Sequence, residues 1–198
     1  MIPKKFFNIH RSLLENSKPF DYLHKLIKDN GVQGIKKTNL DLFSFICKTI
    51  ISQQISNKAA NNIWGNIQSI LKEKNILLNV LIKNKEIKNI GFSKKKLSYM
   101  LKIHEAFKKN IIEEFNLSKL NHNEFKKELT KFKGIGGWTC DMIGIFYFQN
   151  LNIWPKNDLV IKKMVEKVNK NLNKKINYEE IFEPYLSILA LHLWKLVD

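Results

Sequence analysis

Apolar residues in this chain recur at the 3.6-residue spacing of a helix face, and no segment alternates apolar and polar residues in a sustained period of two. That contrast constrains the fold more than any other feature, because a half-buried sheet requires the alternation that is missing. Leu42 to Ser52 (LFSFICKTIIS) is apolar enough for a buried helix, and Lys58 to Leu71 reads as a second, with Ala59, Ile63, Ile67, Ile70 and Leu71 on one side. Ser93 is placed to cap a long helix whose apolar positions are Leu97, Met100, Leu101, Phe107 and Ile111. Asn121 or Asn123 caps the next, burying Phe125, Leu129 and Phe132, and Trp138 to Phe148 follows a glycine cluster. Asp158 opens a helix with Ile161, Met164, Val165, Val168 and Leu172 on its inner face. Pro184, suited to a first helical turn, starts the last, with Leu186, Leu189, Ala190, Leu193 and Leu196. The fold class expected is all-α.

Composition narrows the function classes. The chain has 198 residues, enough for one large domain or two small ones with a sizeable core. Hydrophobic residues make up 44% and aromatics 11%, too apolar for a disordered basic tail. The longest apolar stretch, Tyr185 to Trp194, is too short to cross a bilayer, so no membrane partner is expected. Met1 to His10 holds lysines but no apolar run of the secretory kind, so no signal peptide is expected. Two cysteines, Cys47 and Cys140, cannot build a disulfide framework, a four-cysteine zinc site or a four-cysteine iron–sulfur cluster. The five histidines show no metal-ligand spacing.

Lys and Arg number 34 against 18 Asp and Glu, a formal net charge of +16. Arg11 is the sole arginine, and Asn and Ile are abundant beside Lys, so part of the surplus follows from base composition in the coding DNA. Even discounted, a field of this sign attracts polyanions, nucleic acid foremost.

Two places carry the chemistry. In Phe132-Lys133-Gly134-Ile135-Gly136-Gly137-Trp138-Thr139, three of the eight glycines fall within four residues between two helical patterns. Glycine there permits positive φ, and the helix that follows turns its first N–H groups and positive dipole end outward, as a phosphate site requires. An isolated G-x-G would be an ordinary helix–helix turn. The second place is Asp158, in Trp154-Pro155-Lys156-Asn157-Asp158-Leu159, 22 residues after Gly136. Alone, an Asp before an apolar-periodic helix is an N-cap.

The string Gly-Ile-Gly-Gly-Trp-Thr, followed at this distance by Pro-x-x-Asp-Leu and a helix, resembles the helix-hairpin-helix DNA glycosylase superfamily. Ile50-Ile51-Ser52-Gln53-Gln54-Ile55-Ser56 is similar to that family's ILxQQ(I/V)S segment, and Gly91-Phe92-Ser93 with Lys96 to its Gly-Leu-Ser-x-x-Lys helix start. The resemblance covers residues 40 to 195 and is closest to the alkylation-repair branch, 3-methyladenine DNA glycosylase II, in a compact form lacking the N-terminal sheet domain. It implies two helical subdomains with the active site in the cleft between them: a barrel at residues 42–148 containing the hairpin, and a second domain from residues 1–41 and 149–198 carrying the catalytic Asp.

Carried over by position, the resemblance makes Asp158 the catalytic carboxylate. Trp138, Trp194, Met142 and Leu159 line the base pocket. Gln53, Gln54, Ser56, Gly134, Gly136, Gly137 and Thr139 bind DNA, with Gln54 filling the gap left by the flipped base. Carbonyls of Thr130, Phe132 and Ile135 hold a structural monovalent cation, Na+ or K+, and no other cofactor is required. Asn157 stands where an acidic residue often precedes the catalytic Asp, and Met142 where relatives can be aromatic. Bifunctional members place a Schiff-base lysine at the position of Trp138, so no lyase activity is expected. The implied activity is a monofunctional hydrolase excising alkylated purines such as 3-methyladenine from double-stranded DNA in base excision repair, acting as a monomer. The implied compartment is cytoplasmic, nucleoid-associated in a bacterium or nuclear in a eukaryote. The alternatives are a helix-hairpin-helix DNA-binding module without catalysis, for which Asp158 is only a cap, and a glycosylase for oxidised or deaminated bases.

Overall fold

The computed structural model describes residues 2–84 and 90–195. The described residues form helices and connecting turns, with no strand among them. In chain order the helices are α1 (Lys4–Ser17), α2 (Asp21–Asn30), α3 (Leu42–Ser52), α4 (Asn57–Lys74), α5 (Leu78–Leu81), α6 (Lys94–Lys108), α7 (Glu114–Leu117), α8 (His122–Leu129), α9 (Gly137–Met142), a π-helical turn (Ile143–Tyr147), α10 (Leu159–Leu172), α11 (Tyr178–Phe182) and α12 (Leu186–Trp194). They divide into two compact units, one from Met1–Thr38 with Gly144–Asp198 and one from Asn39–Ile143.

Each unit is organised around a helix that is apolar on nearly every side, the pattern of a core helix. In the unit of residues 39–143 this is α3, whose Leu42, Phe45, Ile46, Cys47, Ile50 and Ile51 are all buried. It packs against α4, α6 and α9. Asp41 caps α3 by accepting from the Ser44 N–H at 2.9 Å, and Ser56 does the same for α4. On α4 the buried stripe is Ala60, Trp64 and Ile67, one position round from the expected face; Ile63, Ile70 and Leu71 are half-buried. The wide Trp64 ring, 5% exposed, takes the centre of that contact.

Ser93 caps α6 as its position predicts, but α6 ends at Lys108. Met100, Ile103 and Ala106 form its buried face, and Ile111 lies beyond the helix, 63% exposed. Asn121, not Asn123, caps α8, in a reciprocal capping box with Glu124.

The other unit centres on α12, with Leu186, Ser187, Ile188, Leu189, Ala190, His192 and Leu193 buried. It packs against α2, α10 and α11, and α1 packs against α2 and α11. Helix α12 begins at Leu186, so Pro184 precedes the first turn instead of occupying it. Leu196 lies outside the described residues. Buried Ser187 explains the start. Its N–H donates to the Leu151 carbonyl at 2.9 Å, and its Oγ accepts from the Ile153 N–H at 2.9 Å, fastening the segment that leads to Asp158. The N-terminal helices α1 and α2 supply Phe6, Ile9, Leu13, Leu23, Leu26 and Ile27 to this core.

Candidate functional site

The segment before α10 is built to deliver one carboxylate. Trp154 stacks on Tyr178 with ring centroids 5.3 Å apart and planes 15° apart. The chain then turns: the Lys156 N–H donates to the Trp154 carbonyl at 2.8 Å, and the Asp158 N–H to the Pro155 carbonyl at 2.9 Å. Proline at the bend presets φ and brings Asp158 to the N-cap of α10. There Oδ1 of Asp158 accepts from the Ile161 N–H at 3.0 Å, as any capping Asp would. The same oxygen also accepts from Nε1–H of Trp194, on α12, at 3.0 Å. A cap needs only the first bond. Asp158 is 8% exposed, at the positive end of a fourteen-residue helix.

Trp194, which the resemblance places in the base pocket, is half-buried and does two things. Its indole N–H holds the carboxylate, and its ring lies against Phe146 at a centroid distance of 5.7 Å. Leu159, the residue after Asp158, is 80% exposed.

The glycine turn belongs to the other unit. The Phe132 N–H donates to the Leu129 carbonyl at 3.1 Å and the Ile135 N–H to the Phe132 carbonyl at 3.0 Å, reversing the chain between α8 and α9. Gly134 has φ +99°, and a Cβ there would sit 2.5 Å from the Tyr99 ring, so only glycine fits both the angle and the space. Gly136 is the exposed N-cap of α9 and Gly137 its first residue, so the N-cap has no side chain to bond this helix end. Trp138 is half-buried, whereas Met142 is 8% exposed and forms part of the core.

Three of the residues assigned to DNA contact are joined to one another. Nε2 of Gln53 donates to the Gly134 carbonyl at 2.8 Å and to Oγ1 of Thr139 at 2.9 Å. Thr139 is 1% exposed. Gln54 projects outward with φ +59°, and Ser56 is exposed while its Oγ caps α4. Lys96, on α6, donates from Nζ to the carbonyls of Ile51 at 2.7 Å and Gln53 at 2.8 Å, and burial lowers its pKa.

A buried cluster that the sequence reading missed braces the two hairpin helices. Asp141 on α9, 1% exposed, accepts from Nζ of Lys126 at 2.6 Å and lies 2.7 Å from Nε2 of His122, both on α8. The i, i+4 spacing of His122 and Lys126 and the Asp after Thr139-Cys140 were the available signal. Both cysteines are free and buried; desolvation, reinforced by Asp141, pushes the Cys140 thiol up to about 12, so neither offers a thiolate.

Among the described residues no three His, Cys, Asp or Glu side chains gather as a metal site. The carbonyls of Thr130, Phe132 and Ile135 are hard oxygen donors of the kind an alkali cation takes, and that of Phe132 already accepts one turn bond. No helix is long and apolar enough to cross a membrane among the described residues.

No family model matches the chain. It is 28% identical over 159 residues to DNA-3-methyladenine glycosylase 1 of Schizosaccharomyces pombe, covering 76% of this chain and 70% of that protein. It is also 28% identical over 205 residues to the DNA-3-methyladenine glycosylase of Saccharomyces cerevisiae, covering 83% of this chain and 69% of that protein. Among solved structures, the S. pombe 3-methyladenine DNA glycosylase in complex with abasic DNA superposes with a TM-score of 0.80 at 25% identity, covering 95% of each chain. By sequence the chain is similar to DNA-3-methyladenine glycosylases, and its all-helical fold matches that of a 3-methyladenine DNA glycosylase solved on DNA, consistent with the helix-hairpin-helix DNA glycosylase superfamily.

Proposed function

We propose that this chain is a monofunctional DNA glycosylase that flips alkylated purines out of double-stranded DNA and hydrolyses their N-glycosidic bond. The observation that carries the reading is Asp158: a nearly buried carboxylate held by the α10 N-terminus and by an indole N–H, in a chain whose relatives are DNA-3-methyladenine glycosylases.

A base inside the stack is unreachable, so the nucleotide must leave it at a cost of a few kcal/mol. The lysine-rich surface attracts the duplex, and the Gly134–Gly137 turn binds a backbone phosphate through main-chain N–H groups. A monovalent cation on the Thr130, Phe132 and Ile135 carbonyls would add positive charge facing that phosphate. Gln54, outward-pointing and exposed, fills the gap left in the stack.

An N3- or N7-alkylated purine carries positive charge. The indole faces of Trp138 and Trp194 favour it by roughly 0.5–2 kcal/mol through cation–π attraction. As the bond between C1′ and the purine nitrogen breaks, its electron pair leaves with the base, which departs neutral, and the sugar becomes oxocarbenium-like. The Asp158 carboxylate stabilises that charge through space, where low dielectric makes it effective. Water then forms the new C1′–O bond and gives up a proton, to the carboxylate or to solvent, leaving an abasic site. Trp138 cannot form a Schiff base, so the strand stays intact. The partner is damaged duplex DNA, met by a monomer in the compartment that holds it, nucleoid or nucleus.

The test is to incubate the protein with methylated duplex DNA and identify the released bases. Wild type is expected to release 3-methyladenine or other alkylpurines, and Asp158→Asn to release none while retaining DNA affinity. The Ile161 N–H bond is all that a capping Asp requires, so the rival is a binding module without catalysis. Binding with no base release by wild type would favour that rival.

A further inference from the structure

We propose that Gln53 and Lys96 are positioning residues that hold the segment after α3 and the glycine hairpin at one fixed spacing, coupling base displacement to the phosphate grip. The inference rests on the glycosylase reading, which assigns Gln54 to the gap in the stack and Gly134–Gly137 to a phosphate.

Residues 53 and 134 are 81 apart in sequence, yet the Gln53 amide nitrogen meets the Gly134 carbonyl at 2.8 Å and Oγ1 of Thr139 at 2.9 Å. One side chain thus ties the segment to the apex of the turn and to the first turn of α9. Both N–H bonds of the amide nitrogen are committed, so Gln53 has no donor left for DNA. Its backbone is pinned as well. Lys96 Nζ grips the carbonyls of Ile51 and Gln53, at 2.7 and 2.8 Å. Those carbonyls belong to the C-terminal turn of α3, where a cation is favoured and intrahelical donors run out.

Helix α6 reaches both partners from one face. Lys96 holds the α3 end, and Tyr99, three residues on, lies directly against Gly134, where an added Cβ would meet its ring at 2.5 Å. Between these fixed points Gln54 takes φ +59°, a left-handed conformation that a non-glycine residue holds only when its surroundings impose it. The frame therefore determines where Gln54 points relative to the hairpin. A wedge free to drift would still bind DNA through charge, but would no longer act in concert with the phosphate grip.

The experiment compares affinity for a duplex carrying a tetrahydrofuran abasic analogue with affinity for the same intact duplex. The ratio divides out any general loss of charge or fold, which a merely structural role would leave unmoved. Gln53→Leu and Lys96→Met are expected to lower the ratio about tenfold, the scale of one buried hydrogen bond left unmade. Lys96→Arg, which can still donate to both carbonyls, should restore most of it. Thr139→Val removes an acceptor while keeping the volume, so it tests the same tie should Gln53→Leu fail to fold. A ratio unchanged in both Gln53→Leu and Thr139→Val would overturn the proposal. The measurement needs no turnover, so failure of the glycosylase reading shows separately, as absence of base release by wild type.

Discussion

Replacing Trp194 by Phe separates two roles that one side chain combines. The substitution keeps an aromatic face beside Phe146 and removes the N–H that reaches Oδ1 of Asp158 at 3.0 Å. A hydrogen bond to a charged group contributes about 1.5–3 kcal/mol, and each 1.4 kcal/mol is a factor of ten. The Ile161 N–H still holds the same oxygen, so the carboxylate stays capped and loses orientation about its second torsion, not its place. The expected loss therefore sits at the lower end, about tenfold in the single-turnover rate of base release. Trp194→Leu removes the ring as well and should lose a further factor of roughly 2–30, the range of a cation–π contact with a cationic base. Base release from methylated duplex at saturating enzyme is the assay. A Phe variant at the wild-type rate would refute the claim that the indole N–H orients Asp158. Equal losses in Phe and Leu would refute the stacking role instead.

Borohydride should trap no covalent adduct with damaged DNA, because Trp138 has no amine; an adduct surviving a denaturing gel would place the chemistry on a lysine. Gly134→Ala should cost roughly 2–4 kcal/mol of unfolding free energy, through its positive φ and the clash with Tyr99, whose Cβ is itself 2.7 Å from the new atom. Denaturant melts showing a loss near zero would refute that packing argument. Stability should also fall in acid on account of His192. Desolvation, then the neighbouring His10 and Lys195 charges, lower its pKa from 6.5 to about 3, so the neutral ring is the folded form. The stabilisation is complete above pH 6.5 and declines as the unfolded chain takes up the proton, by about 1.4 kcal/mol per pH unit between 6.5 and 3. His192→Leu should flatten this slope in unfolding titrations, and an unchanged slope would assign the acid sensitivity elsewhere.

The His192 environment shows why such a feature escapes a linear reading. Both ring nitrogens are buried with no hydrogen-bond partner among the described residues, and the ring stacks on His10 at a centroid distance of 5.7 Å. In the sequence the two histidines are 182 residues apart, with neighbours of ordinary helical character. Helix α1, which carries His10, drew no helical assignment from the sequence at all. The Pro184 misplacement has a similar origin. A first-turn proline and a proline just before the N-cap look alike in sequence, and the bonds from Ser187 to Leu151 and Ile153 set the start of α12.

What the sequence determined by itself is what a single turn of backbone decides. The apolar run of α3, the caps at Ser93 and Asp158, and the turn at Gly134 each depend on atoms within four residues, where steric limits and local hydrogen bonds leave little choice. The all-helical class follows from the same local periods. Which donor meets which acceptor across the chain depends on how helices rotate and pack, and that no local rule contains. Trp194 on Asp158, Gln53 on Gly134 and Thr139, Lys96 on the end of α3, and Lys126 with His122 on Asp141 were decided there. A buried polar group must find its partner wherever close packing brings one, so these pairings emerge only once the core has formed.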